Sequence, residues 1–528
     1  MVRTATVALI ALMVQAGTGF AEDRLAPGAP RLVDLPAGQP VQLGIEAPSG
    51  SYLVGRIEAG SDKIDANILA GDGSHFRQLA RAGHGSIRLY VVSEGPRMFL
   101  ELSSEAGGRA EVALDQLVPP EAQIAPDMDY LSPRMSALSK ALAKGADTAD
   151  FWATVANEGT PLVEPDGEGQ SIVTFLWRGA KRNARLFGGP SSDHDWLERL
   201  GDSDVWYKSF RVPNDTRLSY KIAPDVPVPE GDAWTRRVAI LATAQVDPLN
   251  RQPWPEIAPD RFNQQSVLVL PDAPEQPGTP PLPEAAPAFQ RFTFTSPRLG
   301  NSREIVLSHP QNFDPADPEL VVALIFDGER AISDMKAPHM LDSLTRQGRL
   351  PPVLSVFIPS IDSETRAREL PGNADFADVL AGELLPQILN RTGIPPDPQR
   401  TVLAGASYGG LGAATIAIRH PEAFGNALSM SGSFWWAPKG AKTDGTPYVA
   451  AQIAEAKPLP IRFFLSAGSF ETSRGDSDGI LQTSRILRDT LRLRGYDAAW
   501  REYAAGHDYL VWRGALADGL IALFGGRP

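Results

Sequence analysis

A serine held between glycines, where an apolar run gives way to a helical pattern, limits this chain more than any other feature. Thr401-Val402-Leu403-Ala404 is the run, Gly405-Ala406-Ser407-Tyr408-Gly409-Gly410 follows it, and Leu411 to His420 reads as helix. Glycines there admit a strand-to-helix turn too tight for Cβ atoms, and such a turn lifts the serine hydroxyl clear of the sheet edge. The amide of Tyr408 is then placed to donate to an oxyanion. A turn of this kind needs a buried strand before it and a packed helix after it, so it predicts a layered α/β domain.

The rest of the C-terminal half agrees. Leu320 to Phe326, Val353 to Ile358, Thr401 to Ala404 and Ile461 to Ser466 are continuous apolar runs that alternate with helical patterns. Such runs are strands buried on both faces, in a mostly parallel sheet flanked by helices. Upstream the pattern differs. From Leu32 to Leu117, short alternating runs such as Val41-Gln42-Leu43-Gly44-Ile45 are separated by glycine turns, the pattern of a small all-β sandwich. Leu131 to Lys144 reads as an amphipathic helix stopped by Gly145. A second β region holds Ser171 to Trp177 and Val205 to Phe210. Asp272 to Ala288 carries six prolines and reads as a semi-rigid linker.

At 528 residues the chain exceeds one core. The expected division is 1–21 signal peptide, 22–118 β-sandwich, 119–147 helical connector, 148–271 second β domain, 272–288 linker and 289–528 α/β domain. A net charge of −13 disfavours a nucleic-acid partner, which would favour a basic face. Arg3, the apolar Ala5 to Val14 and the small residues of Gly19-Phe20-Ala21 form an export signal, cleaved before Glu22. Its apolar core is too short to anchor the chain, and no other span suggests itself. The expected location is therefore periplasmic or secreted, a setting that the absence of cysteine suits and that rules out lipoprotein attachment.

A serine nucleophile needs a base, and α/β-hydrolases order their residues serine, acid, histidine. His507, on the Ala505-Gly506-His507-Asp508-Tyr509 loop, fits that order. His420 reads as a cap for the C-terminal end of the elbow helix, where its charge complements the dipole. His194, His309 and His339 precede the elbow and read as structural, and His75 and His84 do not read as a metal pair. The acid should follow the run Ile461 to Ser466. Glu471 comes first, with Asp476 and Asp478 on the next loop as alternatives, and a Ser–His dyad remains open. The second oxyanion donor should be the amide of Gly328 or Glu329, after Leu324-Ile325-Phe326.

Several motifs in order then carry a resemblance. They are Ile361-Asp362, Arg366-Ala367-Arg368-Glu369-Leu370-Pro371, Asn373-Ala374-Asp375-Phe376, Glu383-Leu384-Leu385-Pro386, the elbow, Ser429 to Trp436, and Gly506-His507-Asp508 leading to Trp512-Arg513-Gly514. The C-terminal half resembles the enterochelin (enterobactin) esterase family, which cleaves ferric catecholate siderophores. Gly159 to Glu164, Val173 to Trp177, Asp204 to Tyr207 and Arg217 to Tyr220 resemble that family's immunoglobulin-like N-terminal domain. The first β region is similar to the pre-peptidase C-terminal type of jelly roll.

The resemblance implies Ser407 as nucleophile, His507 as base, and a cyclic ester of serine carrying catecholamides as substrate. Iron would arrive only inside that substrate, with no cofactor or protein metal site. Arg366 and Arg368 could meet the anionic catecholates, or pair with Asp362 or Glu369 at the surface. Trp435 and Trp436 could wall the pocket, or one of them could belong to the core. Export and the additional first domain depart from the family pattern. A carbohydrate-linked or general carboxylic ester hydrolase, of feruloyl or acetyl esterase type, would keep the same nucleophile and change the substrate. A siderophore-binding protein with a decayed site is the non-enzymatic reading; loss of Ser407 or His507 would support it, and both are present.

Overall fold

The computed structural model describes residues 24–123, 131–191, 194–279, 287–310, 313–441, 444–473 and 478–526. The expected export signal, Asp476 and residues 280–286 of the Pro-rich stretch lie outside these residues. The chain divides into two compact units that part at Leu117–Val118, apart from Tyr90–Val92.

The first unit holds two sheets. One has five strands in the order Arg24–Leu25, Val41–Glu46, Arg97–Ser103, Ile64–Leu69, His75–Gly83. The other orders Arg31–Leu35, Gly108–Val118, Tyr52–Glu58, Ser86–Val92. Burial alternates along these strands, with Ile64, Ala66 and Ile68 inside and Asp65 and Asn67 half-buried between them, which is the two-residue period of a sheet with one covered face.

In the second unit, the segment from Leu162 to Val269 forms one eight-stranded sheet. Its order is Leu162–Pro165, Gln170–Arg178, Val205–Pro213, Trp196–Arg199, Ala184–Gly188, Arg217–Pro224, Gln265–Val269, Pro253–Trp254. Three strands separate Gln170–Arg178 from Arg217–Pro224 in that order, yet the rings of Phe175 and Tyr220 meet edge to face at 4.7 Å. The sheet therefore folds over on itself around a single core that also takes in Val173, Leu186, Leu197, Trp206 and Leu268. Two helices, Ala149–Glu158 and Ala233–Thr243, accompany it. The sequence reading missed both, because each offers only about two turns of apolar pattern. The anticipated helix after Leu131 runs Pro133–Leu142, with Ser132 capping it.

The C-terminal half is an α/β-hydrolase domain. Its strands are β1 (Ala288–Ser296), β2 (Asn301–His309), β3 (Val321–Phe326), β4 (Val353–Ile358), β5 (Thr401–Ala406), β6 (Asn426–Met430), β7 (Arg462–Gly468) and β8 (Ala498–Tyr503). The sheet order is β1-β2-β4-β3-β5-β6-β7-β8. β1 and β2 form an antiparallel hairpin, β2 pairs antiparallel with β4, and the other pairs are parallel. Along β3, Val322, Leu324 and Phe326 enter one core layer while Val321, Ala323 and Ile325 enter the other.

Helices α1 (Gly328–Ser333), α2 (Ala337–Arg346), α3 (Ser363–Glu369), α4 (Tyr408–Arg419), α5 (Ile480–Leu493) and α6 (Tyr509–Phe524) frame this sheet. α4 and α5 cover one face, while α2 and α6 cover the other. Because β3 and β5 to β8 are parallel, their C-terminal ends share one edge. The loops bearing Asp327, Ser407, Ser431, Glu471 and His507 all leave from it, which is where ligands bind in folds of this type.

No helix among the described residues is long and apolar enough to cross a membrane.

Candidate active site

Ser407 sits between β5 and α4 with φ 59° and ψ −121°. The left-handed backbone falls on the serine itself rather than on its glycines, and holding a non-glycine residue there costs about 1–3 kcal/mol. Main-chain bonds hold it in place. The Ser407 amide donates to Met430 O at 3.0 Å, and Ser407 O accepts from Leu411 N and Ser433 N, both at 3.1 Å. The glycines act through close approach. A Cβ on Gly405 would lie 2.6 Å from the Gly409 carbonyl carbon, and one on Gly410 would lie 2.6 Å from Ser429 Oγ. The helix can thus start directly on top of the strand it follows. The Ser407 hydroxyl lies 3.4 Å from Ser433 Oγ.

Tyr408 is the first residue of α4 and Gly328 the first of α1. Amides in a first helical turn have no acceptor within their own helix. A Cβ on Gly328 would strike the β4 backbone, 2.7 Å from Ile358 N, so only glycine lets α1 begin this close to the sheet.

Glu471 is buried just past β7, and three donors converge on its carboxylate. His507 Nδ1 meets Oε1 at 2.5 Å, while Ser431 Oγ and Gly468 N reach Oε2 at 2.7 and 2.6 Å. Trp512 Nε1 donates to Ser431 Oγ at 3.0 Å, and the same indole stands edge-on to the His507 ring at 4.7 Å. Trp512 therefore braces the imidazole directly and the carboxylate through Ser431. Asp478 is exposed, and Asp476 lies outside the described residues.

Arg366 pairs with neither Asp362 nor Glu369. Its Nε and Nη2 grip Asp327 at 2.6 and 2.7 Å, and Ser360 Oγ donates to the same carboxylate at 2.5 Å. Asp327 is buried at the end of β3, so this ion pair stands beside the elbow, with the Arg366 guanidinium 5.8 Å from the Tyr408 ring. Asp362 instead caps α3, accepting from Thr365 N at 2.7 Å. Glu369 is held by buried Arg303, whose Nη2 reaches both carboxylate oxygens at 2.8 Å.

Arg368 is exposed on α3, 3.7 Å from Glu364. Trp435 is exposed, with its ring 6.0 Å from that of Tyr408. Trp436 is partly buried and packs against the core, where a Cβ on Gly372 would come within 2.7 Å of its ring. His420 closes the far end of α4, bridging Asp378 and Glu422 at 2.9 and 2.8 Å. Among the described residues, no group of three or more His, Asp or Glu side chains is placed to hold a metal ion.

The family model described as "Enterochelin esterase, N-terminal" matches residues 172–279, and the one described as "Putative esterase" matches 296–523. An iron(III) enterobactin esterase of Dickeya dadantii is 33% identical over 418 residues, spanning 71% of this chain and 93% of that protein. The chain belongs to the enterobactin esterase family. An iron(III) salmochelin esterase of Escherichia coli, also similar, is 31% identical over 74% of this chain and 98% of its own length. The crystal structure of a ferric enterobactin esterase from Salmonella typhimurium matches with a TM-score of 0.59 at 32% identity, covering 71% of this chain and 98% of that one. Membership makes the protein a carboxylic ester hydrolase.

Within this enterobactin esterase-family site, sequence reasoning overlooked Ser431, Ser433, Trp512 and Asp327. Ser431, Ser433 and Trp512 stand in stretches that carried the family resemblance, but nothing in a linear string sets an indole from α6 against a hydroxyl after β6. The Asp327–Arg366 pair spans 39 residues and had no local signal at all.

Proposed function

We propose that this protein hydrolyses the ester bonds of ferric enterobactin-type catecholate siderophores through an acyl-enzyme on Ser407. The observation that carries this reading is the His507–Glu471 bond, on loops that leave the same sheet edge as the Ser407 elbow, in a chain that spans nearly the whole length of iron(III) enterobactin esterases. In this reading Ser407 Oγ attacks a trilactone carbonyl while His507 Nε2 takes its proton. Glu471 fixes the tautomer through Nδ1 and stabilises the charge that develops on the ring. The amides of Tyr408 and of Gly328 or Glu329 receive the oxyanion. His507 then gives the proton to the departing serine-ester oxygen, which leaves as a hydroxyl, and water repeats the sequence on the acyl-enzyme.

The ferric complex is anionic. Asp327 engages Nε and Nη2 of Arg366, which leaves the Nη1 edge for a catecholate, and Arg368 offers a second cation. Trp435 and Tyr408 supply flat apolar surface for catechol rings. The protein needs no cofactor of its own, since iron comes with the substrate. We read the two N-terminal β regions as sandwich domains, the second immunoglobulin-like, and Met1 to Ala21 as a signal that exports the chain to the periplasm or beyond.

The alternative is a feruloyl or acetyl esterase with the same machinery. The ratio of kcat/KM for ferric enterobactin to that for methyl ferulate separates the two. We expect it to exceed about 100, the discrimination of ~3 kcal/mol that a few dedicated contacts supply. A ratio below one would favour the carbohydrate-linked ester.

A further inference from the structure

The two loops that carry the acid and the base are not supported by the α/β domain alone. Glu471 follows Phe470, whose ring packs against the core of the second β domain, the cluster that holds Leu218 and Tyr220. His507 stands between Ala504 and Asp508, and both bond to one strand of that domain. Arg217 N donates to Ala504 O at 3.0 Å, and Ser219 N donates to Asp508 Oδ2 at 3.0 Å. The other oxygen of Asp508 caps α6 through Val511 N at 3.1 Å, so one carboxylate ties the start of α6 to the β domain immediately after the base. Gly506 lies against the turn at Gly189, whose carbonyl would be 3.2 Å from an added Cβ.

The two loops are also bonded to each other. Ser469 N donates to Tyr503 O at 2.8 Å and Phe470 N to Ala505 O at 3.1 Å. A Cβ on Gly468 would sit 2.3 Å from Ala505 O, so the contact closes only on glycine.

We propose that the second β domain is part of the catalytic apparatus. Its Arg217–Pro224 strand and its core clamp the paired loops, with Phe470 and Asp508 as positioning residues that set the Glu471–His507 geometry. This rests on the assignment of Ser407, His507 and Glu471 to the reaction, but on no choice of siderophore. The physical reason is the steep dependence of catalysis on placement. A displacement of about 1 Å in a reacting group can cost ~100-fold in rate, while a substrate held elsewhere in the pocket binds as before.

The test uses the full chain from Glu22 and two probes that need no siderophore: p-nitrophenyl butyrate turnover, and phosphonylation of Ser407 by a p-nitrophenyl phosphonate. Phe470→Ala and Asp508→Asn are each expected to lower kcat and the phosphonylation rate by about 10–100-fold. KM should change less than about twofold, with circular dichroism unaltered, and Phe470→Leu should restore most of the rate. Should Phe470→Ala fail to fold, Asp508→Asn carries the comparison. Unchanged rates in folded variants, or a raised KM with unchanged kcat, would overturn the proposal. A Ser407→Ala control that is still phosphonylated at the wild-type rate would instead sink the nucleophile assignment, so the two failures are distinguishable.

Discussion

Ser407 holds an unfavourable backbone conformation because strand, helix and a following loop all bond to it, and the expected consequence is a hydroxyl aimed at substrate. Ser407→Ala should reduce kcat by on the order of 10⁴-fold or more, leaving whatever the oxyanion donors and binding supply by themselves. Glu471→Gln keeps the volume but disturbs the donor pattern at Nδ1, and should cost ~10²–10⁴-fold in kcat. Ser431→Ala removes one of three donors to a buried carboxylate. A bond of that kind contributes about 1.5–3 kcal/mol, so kcat should fall by ~10–100-fold with KM nearly constant. Steady-state kinetics on a soluble activated ester checks all three, and a wild-type rate for Ser431→Ala would remove Trp512 and Ser431 from the account.

At the scale of elements, Asp508 links α6 to the second β domain, and burial raises its carboxyl from the usual range to about 6 despite the amides of Ser219 and Val511. A carboxyl whose folded pKa is raised binds protons more tightly in the native state. Its contribution to stability is therefore present below about pH 4 and lost as pH rises through about 6. The loss should be on the order of 3 kcal/mol, and the urea midpoint of Asp508→Asn should vary less with pH across that window than that of the wild type. The pair between Arg303 and Glu369 belongs to the same scale, since it ties β2 to the end of α3 in the interior. Arg303→Leu strands a buried carboxylate and should cost about 3–5 kcal/mol in urea denaturation.

Strands β3, β4, β5 and β7 were legible beforehand, because strands buried on both faces leave unbroken apolar runs. The hairpin of β1 and β2 was not. Phe289 breaks the two-residue period of Phe292 and Phe294 beside a proline-rich stretch, and that edge is largely exposed. Ser407, His507 and Glu471 could be named because the elbow turn and the chain order of such sites are local signals. The Arg366 partner, the Trp512 brace and the clamp on the base loop join segments far apart in the chain, and no period or spacing encodes them.

At the scale of the whole molecule, the family models begin at residue 172, and relatives are spanned almost end to end by about 71% of this chain. The first compact unit therefore stands outside what those relatives contain. A chain beginning at Ser132 should fold and turn over an activated ester with kcat within about threefold of the longer protein, a difference below ~1 kcal/mol in barrier. Loss of folding or of turnover would make the first unit part of the enzyme.

The central claim is that Ser407 opens a catecholate trilactone. The most direct measurement incubates the chain from Glu22 with enterobactin, with and without iron, beside Ser407→Ala, and resolves the products by chromatography and mass. The wild type is expected to yield linear trimer, dimer or monomer of the dihydroxybenzoylserine unit, and the variant intact trilactone. An intact trilactone from a wild-type protein that still hydrolyses an activated ester through Ser407 would contradict that claim.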